Sequence, residues 1–253
     1  MISKNELQYY SSLLKKKYRK LEKKFIVEGK KSVLEGLNSH YNCEAVFNTN
    51  NFFEENKELV KNISSLKIRI TTLKQKEFEQ LSDTKTPQGI AAVFVKVNPK
   101  LKQLLSSEEQ LIVMLDNISD PGNLGTIIRN CDWFGVKNIL LSENIVDYTS
   151  PKVIRASMGS VFHVNIFQEV NTDILLKFKE NGYAFLCADV KGENIFTFRS
   201  ENKKLLILSS ESHGPSKDIE RMSDKKISIP RIGSAESLNV ASASAVLLAQ
   251  LTK

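Results

Sequence analysis

Leu7, Tyr10, Leu14, Tyr18 and Leu21 recur at steps of three and four, which predicts an amphipathic helix over residues 4–24 with lysines mostly on its opposite face. From residue 25 the pattern changes to short apolar runs: FIV at 25–27, AVF at 45–47, LKIRI at 66–70 and GIAAVFVKV at 89–97. Helical or turn-rich segments separate them, so the first part reads as a small α/β layer domain. VNPKLKQLLSSEEQ has the proline, serines and alternating charges of a linker and puts a boundary near residue 105, giving domains 1–104 and 105–253. Beyond it, LIVML at 111–115, NILL at 138–141, FHVNIF at 162–167, YAFLCA at 183–188, LLILS at 205–209 and KISI at 226–229 alternate with helical stretches. Continuous apolar runs of this kind suit parallel strands covered on both faces. A last helix is expected over about 237–251, with Ser237 and Asn239 as candidate N-caps.

Composition narrows the classes. No stretch approaches the roughly 18 apolar residues of a membrane span, and the opening MISKNELQYY lacks the apolar core of a secretory signal, so a cytoplasmic protein is expected. Cys43, Cys131 and Cys187 are odd in number and far apart, as reduced core thiols are. His40, His163 and His213 show no ligand spacing, and no metal is expected. The net charge of +7 is concentrated: residues 1–31 hold ten Lys or Arg against Glu6, Glu22 and Glu28, an excess equal to that of the whole chain. Lys15, Lys16, Lys17, Arg19 and Lys20 therefore form either a solvated basic face or a phosphate-binding footprint for nucleic acid.

Three segments have the form of a buried strand ending in a small polar loop. LDNISDPGNLGTIIRNCDWFGV at 115–136 runs from strand through loop to helix and carries Asn123 and Arg129. Arg129 reads equally well as a substrate contact or as one half of a helix-surface ion pair. LLILSSESHGPS at 205–216 carries Glu211, and SIPRIGSAESLNVASASAVLL at 228–248 carries Ser237 and Asn239. Three such loops at one edge of a sheet make a pocket. A nucleotide-dependent α/β enzyme is the alternative from composition and pattern, but neither a three-glycine dinucleotide fingerprint nor a glycine-lysine phosphate loop is present.

DPGNLGTIIRNCDWFG, SSESHG and IPRIGSAESLNVASASA resemble the three motifs of the SpoU family of RNA ribose 2′-O-methyltransferases, within the knotted SPOUT class. KVIRASMGSVFHV at 152–164, which includes Arg155, also resembles a segment common in the family, and Arg155 joins the candidate RNA contacts. KKKYRKLEKKFIVEGKKSVLEGL and SDTKTPQGIAAVF resemble its ribosomal-protein-like substrate-binding domain. The resemblance implies an α/β fold: a parallel sheet with a C-terminal trefoil knot, preceded by a small α/β domain. It further implies S-adenosylmethionine as cofactor, a homodimer, and catalytic roles for Asn123, Arg129, Glu211, Ser237 and Asn239. Cofactor contacts are implied at Ser209, Ile229 and Leu238. Ribosomal RNA is the favoured substrate and transfer RNA the second choice; a base methyltransferase or a non-catalytic RNA-binding relative are the other readings. Ser209 stands where the second motif usually has glycine, a replacement that costs of order 1 kcal/mol if the position needs positive φ.

Overall fold

The computed structural model describes residues 2–200, 203–210 and 214–253. It divides into two compact units, one of residues up to Val97 together with Asp147–Phe162, the other of Asn98–Val146 and His163–Lys253. The segment 147–162 leaves the chain between two strands of the second unit and is built into the first.

In the first unit, strands β1 (Lys24–Glu28), β2 (Cys43–Thr49), β3 (Arg69–Leu73) and β4 (Ile90–Val95) form a sheet in the order β1-β4-β2-β3. β4 is antiparallel to both neighbours and β3 parallel to β2. The helices are α1 (Lys4–Ser12), α2 (Lys16–Glu22), α3 (Lys30–Leu37), α4 (Asn50–Glu55), α5 (Lys57–Ser65) and α6 (Gln75–Phe78). The single helix expected over 4–24 is two helices. Ser3 and Glu6 close a capping box at the start of α1, the chain turns at 13–15, and Lys15 in extended conformation opens α2.

The reason for the break is Arg19. Its Nη1 donates to the carbonyl oxygens of Leu13 (3.0 Å) and Leu14 (2.7 Å), groups that a continuous helix would have used internally. Its Nε and Nη2 reach Asp147 Oδ2 at 2.9 and 2.8 Å. Arg19 is only 3% exposed, whereas Leu21, expected on the apolar face, is 68% exposed. Arg19 therefore leaves the set of RNA contacts, because its guanidinium is buried and bonded to Asp147 and to the Leu13 and Leu14 carbonyls. Asp147 Oδ1 accepts from the Thr149 amide and hydroxyl. Burial by itself raises the Asp147 pKa, but the Thr149 hydrogen bonds and the Arg19 charge outweigh it and hold the carboxyl below its usual range.

Behind this pair, Phe162 packs against Phe25, Phe94 and Tyr41 with ring centroids 6.1, 4.9 and 5.1 Å away. A Cβ on Gly36 would collide with the rings of Phe94 and Phe162, so glycine there is what lets α3 lie on the aromatic cluster. FHVNIF was expected to be one strand, but Phe162 ends a 3-10 turn (Ser160–Phe162) belonging to this cluster, and the strand begins only at Asn165.

The second unit holds β5 (Leu111–Asp116), β6 (Asn138–Leu141), β7 (Asn165–Phe167), β8 (Ala184–Asn194), β9 (Lys204–Ser209) and β10 (Lys225–Ser228) in the order β10-β8-β9-β5-β6-β7. Every neighbouring pair is parallel. All six residues of β5 are buried, as strands with both faces covered require. Its helices are α7 (Leu101–Leu105) and α8 (Pro121–Trp133), then, after α9 (Pro151–Ser157) of the first unit, α10 (Thr172–Glu180), α11 (Lys217–Met222) and α12 (Val240–Leu251). One face packs Ile112, Met114, Phe185, Leu205 and Ile207 with Leu175 and Phe178 of α10. From β5 the order moves outward through β6 and β7, while β9, β8 and β10 lie on its other side. The order reverses between β5 and β9, and ligands of open α/β sheets bind outside the carboxyl ends of strands at such a switch point.

Removing one half of a buried ion pair leaves the other half uncompensated, so Arg19→Ala should cost about 3–5 kcal/mol in urea denaturation. Because the folded pKa of Asp147 is depressed, the pair's contribution is present above the unfolded carboxylate value of about 3.9 and is lost as pH falls through the folded value. The Arg19→Ala variant should therefore show a shallower loss of stability on acidification than the parent; an equal slope would remove the pair from that account.

Candidate functional site

α8 begins at the carboxyl end of β5. Asp120 is its N-cap and accepts from the Asn123 amide at 2.7 Å, with Pro121 in the first turn. Asn123 and Asn130 are seven residues apart, two helical turns, and project from the same face. Both reach α12. Asn239 Nδ2 donates to Asn123 Oδ1 at 2.9 Å, and Asn130 Nδ2 donates to the Ala241 carbonyl and the Ser244 hydroxyl, each at 2.9 Å. Asn239 is also the N-cap of α12, its Oδ1 accepting from the amides of Ala241 and Ser242. Of the two expected caps, Asn239 therefore performs the task, and Ser237 is exposed in the preceding loop. Arg129 lies on a different side of α8, exposed, with no hydrogen bond or ion pair to any described residue.

At the carboxyl ends of β8, β9 and β10 lies a cavity of about 740 Å³, within the size range of small-molecule sites. Ser209, Ile229, Ser237 and Leu238 line it, which brings four of the residues singled out in the sequence to one place. Leu208, Ile227, Val240 and Leu247 supply an apolar wall, while Asp189 and Glu236 on one hand and Lys191 and Arg231 on the other supply both signs of charge. The Lys191 amide and the Lys226 ammonium 3.0 Å away hold the Asp189 carboxyl below its usual range. This donor set suits a ligand with an apolar aromatic part and a zwitterionic part, and S-adenosylmethionine is of that kind.

Ser209 ends β9 in register with Asp116 of β5 and is not among the residues with positive φ. The position therefore makes no conformational demand for glycine. Ala188 to Lys191, within β8 where its register with β10 is interrupted, also line the cavity, and Asn130 also ties α8 to α12; neither was picked out in the sequence, since only the third motif's strand end and the loop residues carried a recognisable pattern. Glu211 lies outside the described residues. Lys15, Lys16, Lys17 and Lys20 are exposed on the first unit, whereas Arg155 pairs with Asp83. Among the described residues no group of three or more His, Cys, Asp or Glu could hold a metal, and no helix is long and apolar enough to cross a membrane. The thiols of Cys43, Cys131 and Cys187 are free, and burial pushes each upward in pKa, Cys43 to about 12.

A parallel sheet with a ligand-sized cavity at its carboxyl edge, two helices tied by asparagine side chains at that edge, and a separate basic α/β unit define a two-unit α/β protein built around a small-molecule site. The model of the SpoU rRNA methylase family matches residues 110–249, and that of an MRM3-like substrate binding domain matches residues 4–92. The chain belongs to the SpoU rRNA methylase family. It is 30% identical over 185 residues to the 23S rRNA (guanosine(2553)-2′-O)-methyltransferase RlmP of Bacillus subtilis, covering 73% of each chain. A putative RNA methyltransferase of the TrmH family from Porphyromonas gingivalis superposes with a TM-score of 0.86 at 33% identity, over 99% of this chain and 98% of that one. An AdoMet-bound rRNA methyltransferase from Sinorhizobium meliloti shares the fold, with a TM-score of 0.87 at 24% identity over 99% and 95% of the two chains. The chain spans between 37% and 73% of the length of the first curated relatives it matches.

Asn239→Ser keeps an N-cap acceptor of nearly equal quality but is too short to reach Asn123. It should change unfolding free energy by less than about 0.5 kcal/mol while lowering methyl transfer to RNA about tenfold or more through lost alignment. Thermal melting beside single-turnover kinetics checks this, and full activity in the Ser variant would show that the Asn123 tie is dispensable.

Proposed function

We propose that the protein methylates a ribose 2′-hydroxyl of ribosomal RNA with S-adenosylmethionine as donor. The observation that carries this reading is the cavity beside β8, β9 and β10, lined by residues of the second and third motifs, among them Leu238 next to the α12 cap Asn239 that is bonded to the first. When bound there, the donor supplies an electrophilic methyl group on a sulfonium. Ser209, Ile229 and Leu238 hold it, largely through backbone groups. Ser237 and the paired amides of Asn123 and Asn239 shape the place where the ribose enters, with Glu211 as the acidic member of the set. Transfer needs the attacking oxygen in line with the breaking bond, so positioning provides much of the acceleration.

Arg129 is the group offered to RNA. A guanidinium with pKa above about 12 is a poor base. Its role is to clamp a phosphate beside the target ribose and to stabilise charge developing on the 2′-oxygen. Its exposure, and the absence of an ion-pair partner among the described residues, support this over the ion-pair alternative. Lys15, Lys16, Lys17 and Lys20 give the first unit a sequence-independent hold on phosphates, with Arg155 available where RNA competes for it with Asp83. Ribosomal RNA is preferred to transfer RNA because the B. subtilis relative acts on 23S rRNA, and the cytoplasm is the compartment this reading implies.

The active form is a homodimer, with the α12 end of the chain threaded as a trefoil knot. In support of the dimer, Trp133 at the end of α8 is 82% exposed and Ile232 and Leu238 of the third motif are exposed as well, an apolar set that a second copy would cover.

Arg129→Ala should lose about 100- to 1000-fold in methyl transfer from labelled S-adenosylmethionine to RNA, the usual cost of removing one transition-state stabiliser. Donor affinity by calorimetry should stay unchanged. Near-parental turnover in this variant would take Arg129 out of the mechanism.

A further inference from the structure

Leu111 to Leu115 of β5 are all apolar and buried, yet the strand ends in a buried carboxylate, Asp116, only 3% exposed. A buried charge persists where hydrogen bonds compensate it, and the compensating donor is informative. Asp116 Oδ2 accepts from the backbone amide of Ser216 at 2.8 Å, across 100 residues of sequence. Ser216 is the residue before α11, and just ahead of it Gly214 and Pro215 line the large cavity. At the other end of the same segment, Ser209 also lines the cavity and stands beside Asp116 in the β5–β9 register.

We propose that Asp116 is a positioning residue for the donor cavity: its carboxylate holds Ser216, and with it the adjoining Gly214 and Pro215, at the carboxyl edge of the sheet so that these residues keep their place in one wall beside Ser209. Asp116 itself does not line the cavity and acts through Ser216. The backbone pairing fixes the start of the segment, and the side chain fixes its end. The Gly214 amide donates to the Ser210 carbonyl at 2.9 Å, and the Ser216 amide attaches the chain beyond it to the end of β5. Loss of the carboxylate leaves the Ser216 N–H without its acceptor and frees that end of the wall. Asparagine, with the same shape and a carbonyl oxygen, can still accept from Ser216.

This inference rests on the cavity being the S-adenosylmethionine site, and the test separates the two ideas. Titrate S-adenosylhomocysteine calorimetrically into the parent, Asp116→Ala, Asp116→Asn and Leu175→Ala, the last a core change on α10 away from the cavity. The expected result is a parent that binds, Asp116→Ala about tenfold weaker, and Asp116→Asn within about threefold of the parent. Leu175→Ala should bind as the parent does despite a lowered Tm. In steady-state assays the Asp116→Ala defect should appear in the KM for S-adenosylmethionine and leave the KM for RNA unchanged. Should Asp116→Ala fail to fold, Ser216→Pro carries the test, since φ −59° at Ser216 already suits proline, the serine side chain makes no cap hydrogen bond to α11, and the N–H donor is removed. That variant should also bind about tenfold more weakly. Parental affinity in Asp116→Ala, or in Ser216→Pro, overturns the positioning role and leaves the functional reading intact. A parent that does not bind the ligand overturns both.

Discussion

The hydrogen bond between the side-chain amides of Asn123 and Asn239 is the constraint on which the site depends. Asn123 belongs to the first turn of α8, which follows the central strand β5, and Asn239 caps α12 near the end of the chain. The segments between them build most of the parallel sheet, so the bond closes only when β5, β9, β8 and β10 are already in register. Asn130, two turns further along α8, repeats the connection through Ser244, which is fully buried. Asn239 serves both helices: its side-chain oxygen caps α12, and its amide nitrogen fixes where that helix starts relative to the first motif.

The first unit has its own closing interaction in Arg19 and Asp147, and it is of a different kind. A buried ion pair is weak evidence for added stability, since well-packed apolar residues of similar volume often do as well, but a broken one is costly. Here the acid comes from the 147–162 segment, so the pair, together with Phe162 in the aromatic cluster, ties a distant part of the chain to the small sheet. The lysines around Arg19 remain at the surface. One basic residue of the cluster therefore serves the fold, while Lys15, Lys16, Lys17 and Lys20 stand exposed.

Much of this was legible in the sequence where burial dictates composition. Uninterrupted apolar runs such as NILL and LLILS marked parallel strands to within a residue, because strands covered on both faces have no polar alternation to confuse the reading. The failures share a cause. The run Leu7 to Leu21 has helical spacing, but Arg19 takes the carbonyl groups of Leu13 and Leu14 and breaks it, and no periodicity reveals a tertiary partner 128 residues away. FHVNIF looked like one strand because Phe162 is as apolar as Ile166, although the two serve different cores. Ser209 looked like a conformational liability beside the family's glycine, yet it lies in extended backbone paired with Asp116. The motifs assembled the cavity's residues correctly in part; the contribution of β8 and of Asn130 could not be seen, since their residues have no distinctive spacing.

The central claim is that the reacting atom of the substrate is a ribose oxygen. The most direct measurement is to incubate the protein with ribosomal RNA and S-adenosylmethionine carrying a labelled methyl group, digest the RNA to nucleosides, and identify the labelled product by mass spectrometry. A label confined to a 2′-O-methylnucleoside, with the methyl on the sugar fragment, is the result this account predicts; a label on a base fragment, or none in RNA at all, would contradict it.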